Sequence, residues 1–156
     1  MYDYIVNNTN EKRGMNMSAL YTAEVTATGG RQGRVVSADG VLDVEIKMPK
    51  ALGGPGGEGT NPEQLFAAGY AACFDSALNL VIRTKKVPGI THTSVTAHIS
   101  ILSDEADGGF KLAGVLEVYI EGADRETAQM LLEAAHGVCP YSKATRGNID
   151  VALKLV

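Results

Sequence analysis

Two thiols, one guanidinium and one carboxylate carry the chemistry this sequence can do. The chain has 156 residues and two cysteines, Cys73 and Cys139. A thiol with an unperturbed pKa of ~8.5 is less than a tenth thiolate at neutral pH. A reactive cysteine therefore needs a cation, a helix N-terminus or a base beside it. Cys139 has one such device locally. With Pro140 at the first helical position it sits at an N-cap, where the helix dipole and free N–H groups favour a thiolate. Cys73 stands in mid-helix, where burial alone raises its pKa. It needs a cation from elsewhere, and Arg31, in the turn Gly29-Gly30-Arg31-Gln32-Gly33, is the candidate. An unpaired arginine in an apolar site is costly, and Glu63 is the carboxylate that can hold it.

Each residue also has a plain structural reading. A free cysteine is among the most buried residue types. Arg31 can be a solvated loop cation, and Glu63 can simply complement the dipole in a first helical turn. Geometry adds a constraint. Glu63 and Cys73 are ten residues apart, which on a straight helix is ~15 Å. Either the helix breaks between them, near Gly69, or Arg31 and Glu63 come from a second copy of the chain. Other groups carry less. His92, His98 and His136 do not form a metal-ligand spacing with either cysteine. His136 precedes Cys139 by three residues, with Gly137 expected to end the helix between them. The glycines from Gly53 to Gly57 are not followed by the Lys-Ser/Thr of a phosphate loop.

The elements that must position these groups follow from periodicity and punctuation. Asn61 as N-cap, Pro62 and a capping box through Gln64 open a helix from Pro62 to about Lys85. Its apolar residues, Leu65, Phe66, Ala67, Tyr70, Ala71, Cys73, Phe74, Ala77, Leu78, Val81 and Ile82, wrap the cylinder, so the helix is expected to be buried on all sides. Strands are expected over 20–28, 34–37 and 41–47, then 93–102, 110–121 and 149–156. Asp124 caps a helix running to Ala135, and Cys139-Pro140 opens a short helical turn. The loop 48–59 is long and Gly/Pro-rich. The order is βββ-α-ββ-α-β, an α+β fold with a mostly antiparallel six-stranded sheet. One sheet cannot cover a helix apolar all round, so an obligate, intertwined homodimer is expected, with the central helices packed together.

Bulk properties set limits. One domain of this size can build a real core. A net charge of -4 without a Lys/Arg stripe argues against nucleic acid as the main partner. No segment is read as a membrane span. Residues 1–16 read as a flexible N-terminal extension, with Met15 and Met17 as plausible internal starts, and 17–156 as the single domain. Two distant cysteines suit redox chemistry in a reducing cytoplasm.

Three motifs then carry a family resemblance. They are Ala27-Thr28-Gly29-Gly30-Arg31-x-Gly33-Arg34, Asn61-Pro62-Glu63-Gln64-Leu65-Phe66-Ala67-Ala68-Gly69-Tyr70-x-Ala72-Cys73-Phe74, and His136-x-Val138-Cys139-Pro140-Tyr141-Ser142-x-Ala144-Thr145-Arg146-Gly147-Asn148. Together they resemble the organic hydroperoxide resistance proteins, a branch of the superfamily of the osmotically inducible protein C. The resemblance implies a thiol peroxidase that reduces organic, fatty-acid-type hydroperoxides to alcohols. It implies that Cys73 attacks the peroxide and becomes a sulfenic acid, and that Cys139 resolves it as a disulfide. It implies that Arg31 holds the thiolate, that Glu63 orients Arg31, and that the sites lie at a homodimer interface. The implied reductant is a dihydrolipoyl group on a lipoylated protein; no metal or haem is implied. First attack by Cys73 conflicts with the capping argument, which favours Cys139. An arginine contact in a dry site can outweigh a helix-end dipole, so Cys73 is taken as the attacking thiol. Leu52, Leu65 and Phe66 are expected to line an apolar substrate channel. The competing reading is a redox sensor or binding module that reacts once without turnover.

Overall fold

The computed structural model describes residues 19–156; the expected extension 1–16, with Met15 and Met17, lies outside the described residues. The chain opens with an antiparallel meander, β1 (Val25–Thr28), β2 (Arg34–Ser37) and β3 (Asp43–Glu45). A long loop leads to α1 (Pro62–Lys85), then a hairpin of β4 (His92–Ser103) and β5 (Phe110–Glu121), then α2 (Arg125–Val138), α3 (Pro140–Thr145) and β6 (Asp150–Leu155).

The α+β class and strand order are as expected, but the sheet is not one sheet of six strands. Two three-stranded sheets form, β1-β2-β3 and β4-β5-β6. The long loop and the 24-residue α1 carry the chain away between β3 and β4, so no pairing joins the two sheets. Within the second sheet β6 runs parallel to β5, because α2 and α3 make the crossover that a parallel return requires. β1 starts at Val25 rather than Leu20 because pairing begins at Val25 and Ser37. α2 passes through Gly137 and stops at Cys139, which caps it by donating its N–H to the Ala135 carbonyl before Pro140 opens α3.

α1 forms for the reasons its sequence supplies. The Asn61 side chain accepts the Gln64 N–H at 2.9 Å, and Pro62 occupies the first turn. The Gln64 side chain accepts from the Thr60 hydroxyl at 2.8 Å instead of reaching back to Asn61. Gly69 does not break the helix, which is continuous to Lys85.

The expectation of burial on all sides is corrected. Tyr70, Phe74, Ala77, Leu78 and Val81 form one buried stripe, packed with Leu116, Val118, Leu131 and Leu132 from the second sheet and α2. On the opposite side Ala68, Ala72, Ser76 and Leu80 are exposed within the chain. The β1–β3 sheet packs chiefly on itself, and every residue of β1 is exposed. By length and composition alone α1 could cross a membrane, but its stripe from Tyr70 to Val81 forms the core against β5 and α2.

Leu78 is fully buried at the centre of this core, whereas Asn61 only caps a helix end. Leu78→Ala should cost about 2–5 kcal/mol in urea unfolding and Asn61→Ala only about 1 kcal/mol.

Candidate functional site

Arg31 is presented by a turn that only glycine permits. Gly29 adopts φ +73°, and a Cβ on Gly33 would lie 1.7 Å from the Thr28 carbonyl oxygen. Between them Gly30–Gln32 makes one turn of 3-10 helix. From it the guanidinium donates two hydrogen bonds to Glu63, Nη2 to Oε1 at 2.6 Å and Nη1 to Oε2 at 3.0 Å. This is the two-pronged geometry that fits a planar guanidinium to a carboxylate. The hydrogen bonds from Arg31 hold the Glu63 carboxyl below its usual range, against an opposing effect of burial. Glu63 lies in the first turn of α1, where the helix dipole also favours a negative charge.

The two thiols meet at the other end of the site. Cys139 Sγ donates to Cys73 Sγ at 3.7 Å, and both cysteines are free. Cys73 is half-buried on α1; Cys139 is fully buried between α2 and α3. Burial pushes the Cys73 thiol up, and the backbone N–H of Tyr141 opposes that rise. The capping argument is thereby redirected. Cys139 is the N-cap of α3 as expected, but its side chain makes no capping bond. The donor at the start of α3 acts on Cys73. Among the described residues of this chain, no cation offsets the burial of Cys73.

Aromatic rings and hydroxyls hold α3 against α1. Phe66, Tyr70 and Tyr141 pack with ring centroids 5.7–6.2 Å apart. Gly69 makes room for this: a Cβ there would lie 2.8 Å from the Tyr141 hydroxyl. The Tyr70 hydroxyl is within 3.1 Å of both Ser142 Oγ and Thr145 Oγ1. Two apolar cavities flank Glu63. One, of about 360 Å³, is lined by Leu52, Ala67, Ile99 and Ile101 among others. The other, of about 270 Å³, is lined by Arg31, Phe66, Ile101, Phe110 and Leu112 among others.

Within the chain, then, Arg31 meets Glu63 and Cys73 meets Cys139, but the two pairs are not one cluster. Ten residues of unbroken helix separate Glu63 from Cys73, about 15 Å. Of the expected channel residues, Leu52 and Phe66 line the cavities beside Glu63 and Leu65 lines neither. Tyr70, Tyr141, Ser142 and Thr145 were not singled out from the sequence. Helical spacing could have found two of them: Tyr70 precedes Cys73 by three residues and Ser142 follows Cys139 by three, which puts each hydroxyl on its thiol's side of the helix. No group of three His, Cys, Asp or Glu among the described residues gathers as metal ligands.

A fold of this kind, with two cysteines in contact beneath a short capping helix, has known relatives. Residues 54–154 match the model of the OsmC-like protein family. Over 140 residues the chain is 55% identical to the organic hydroperoxide resistance protein OhrA of Bacillus subtilis, covering 87% of this chain and 96% of that protein. It is 51% identical over 136 residues to an organic hydroperoxide resistance protein of Xanthomonas axonopodis pv. citri, covering 87% of this chain and 94% of that one. The crystal structure of OhrB of Bacillus subtilis superposes with a TM-score of 0.81 at 54% identity, covering 88% of this chain and 100% of that chain. The chain belongs to the OsmC-like family, and within it to the organic hydroperoxide resistance proteins.

The Arg31–Glu63 pair carries a pH dependence of definite sign. Glu63 has a folded pKa below its unfolded one, so the pair's stabilisation is full above the ordinary glutamate value of 4.5 and is lost as pH falls through the lower folded value. Glu63→Gln should be less stable than wild type at neutral pH and equally stable at acid pH in urea titrations. The difference should not exceed about 1 kcal/mol, because the Arg31 side chain is 36% exposed.

Proposed function

We propose that the chain is a cysteine peroxidase that reduces organic hydroperoxides to alcohols and so serves in defence against oxidative stress. The observation that carries the reading is the 3.7 Å separation of the two sulfurs in an apolar setting. A Cys73 thiolate attacks the distal oxygen of R–O–O–H, the O–O bond breaks, and the alkoxide leaves as the alcohol after taking a proton. Cys73 is left as a sulfenic acid, which the neighbouring Cys139 converts to a disulfide with loss of water. A dithiol then returns two electrons by exchange; by family likeness it is the dihydrolipoyl group of a lipoylated protein. The cavities beside Arg31 and Glu63 are apolar, which suits a fatty-acid-type hydroperoxide better than hydrogen peroxide.

The reading includes a homodimer. The first sheet packs chiefly on itself with β1 exposed along its length, so it lacks a buried hydrophobic face of the kind that stabilises a small sheet, and the exposed Ala68, Ala72, Ser76 and Leu80 face of α1 needs a cover. A second copy supplies both, and can bring its own Arg31, held by its own Glu63, to the Cys73 of the first. That contact supplies the cation Cys73 lacks, in a site dry enough for the charge to matter. No metal, haem or nucleic acid takes part, and the cycle operates in the cytoplasm, away from the membrane.

Turnover distinguishes this reading from a redox sensor. With dihydrolipoamide the protein should consume many equivalents of cumene or tert-butyl hydroperoxide, with much lower activity when hydrogen peroxide is the oxidant or thioredoxin the reductant. Consumption that stops at one equivalent would identify a sensor. Cys73→Ser should abolish activity, and Arg31→Ala should lower kcat/KM on the order of 10²–10³-fold. In alkylation of the reduced protein, Cys73 should be modified before the fully buried Cys139.

A further inference from the structure

Three hydroxyls in the core tie together the two helices that carry the thiols. Tyr70 and Ser142 are 0% exposed and Thr145 is 3% exposed. Tyr70 lies one turn before Cys73 on α1. Ser142 lies one turn past Cys139 and Thr145 one turn beyond that, both on α3. The Tyr70 hydroxyl lies 3.1 Å from both Ser142 Oγ and Thr145 Oγ1, and Thr145 Oγ1 lies 3.3 Å from the Ser142 carbonyl. Each of the three hydroxyls thus has a polar partner, and each can rotate to donate or accept. A buried network this fully satisfied fixes geometry strictly, because displacing α3 strands polar groups away from water.

We infer that Tyr70, through Ser142 and Thr145, is a positioning residue for resolution: it holds α3 so that Cys139 stays within attack distance of Cys73. The inference rests on the proposed peroxidase cycle and assigns a residue to its second step. In that step the Cys139 sulfur displaces hydroxide from the Cys73 sulfenic acid. The S–O bond breaks, the S–S bond forms, and the Cys139 thiol proton leaves with the hydroxide as water. The sulfurs must close from 3.7 Å to ~2.05 Å. Cys73 stands on α1 and Cys139 at the N-cap of α3, so the network that ties α3 to α1 sets the separation from which the two sulfurs close. Tyr70 touches neither peroxide nor sulfur in this scheme. It sets where α3 starts from, and a misplacement near 1 Å is enough to cost about 10²-fold in rate.

The test separates the two chemical steps in Tyr70→Phe and Thr145→Val. One equivalent of cumene hydroperoxide is added to the reduced protein. Sulfenic acid is trapped with dimedone and the Cys73–Cys139 disulfide is counted by mass spectrometry at the same times. Wild type should pass to disulfide with little trapping. Both variants should accumulate trapped sulfenic acid, with disulfide formation slowed by tenfold or more; in a parallel sample given a second equivalent of hydroperoxide and no dimedone, a larger fraction should pass to sulfinic acid. Thr145→Ser, which keeps the hydroxyl, should restore the wild-type partition. A merely structural role would lower the melting temperature and slow both steps together without shifting the partition, and that result would overturn the inference. If Tyr70→Phe fails to fold, Thr145→Val against Thr145→Ser decides. Wild type that forms neither sulfenic acid nor disulfide would instead remove the peroxidase reading, and this inference with it.

Discussion

The ion pair between Arg31 and Glu63 constrains everything else in the site. It is double, short and internal to one chain, so the guanidinium is fixed at the N-terminal end of α1. Cys73 is fixed ten residues further along the same unbroken helix. A rigid rod holding its cation at one point and its thiol about 15 Å away cannot bring them together by bending. In the proposed cycle the meeting occurs between chains, each protomer offering an ion pair to its partner's thiol. Glu63 then has two effects. It lowers the cost of desolvating a guanidinium, and in the proposed dimer it aims the guanidinium at the neighbouring subunit.

The thiol end of the site obeys the opposite physics. Burial raises the Cys73 pKa, which protects the sulfur from indiscriminate reaction and leaves it inactive unless something favours the charged form. The chain supplies one such element of its own, the Tyr141 N–H at the start of α3. The stronger one, a full cation, comes from the partner in the proposed dimer. On that proposal the site is active only when assembled, and the same assembly would cover the exposed face of α1 and the uncovered β1–β3 sheet. Stability and chemistry then draw on one interface.

Much of this was legible in the sequence. Asn61, Pro62 and Gln64 announced the start of α1, the Gly29 to Gly33 cluster announced a turn able to project Arg31, and the spacing of Glu63 and Cys73 posed the distance problem before any coordinates. Gly69 misled: glycine in a helix suggests a break, but here it gives room to the Tyr141 ring, and no local pattern encodes a contact seventy-two residues away. The division into two sheets was illegible for a related reason. Alternation identifies a strand but not its partner, and pairing is decided by which edges the intervening helices bring together. The Cys139 N-cap was read correctly, but its beneficiary was not, because the direction of a backbone N–H relative to a distant sulfur is a tertiary fact.

Complementation between two inactive variants tests the crossing of chains most directly. Cys73→Ser retains a working Arg31, and Arg31→Ala retains a working Cys73. Denatured together and refolded, they should form mixed dimers in which one of the two sites holds both intact residues, and hydroperoxide turnover should reappear in proportion to the mixed species. Mixed dimers as inactive as their parents would show that Arg31 and Cys73 must reside in one chain, and would contradict the account.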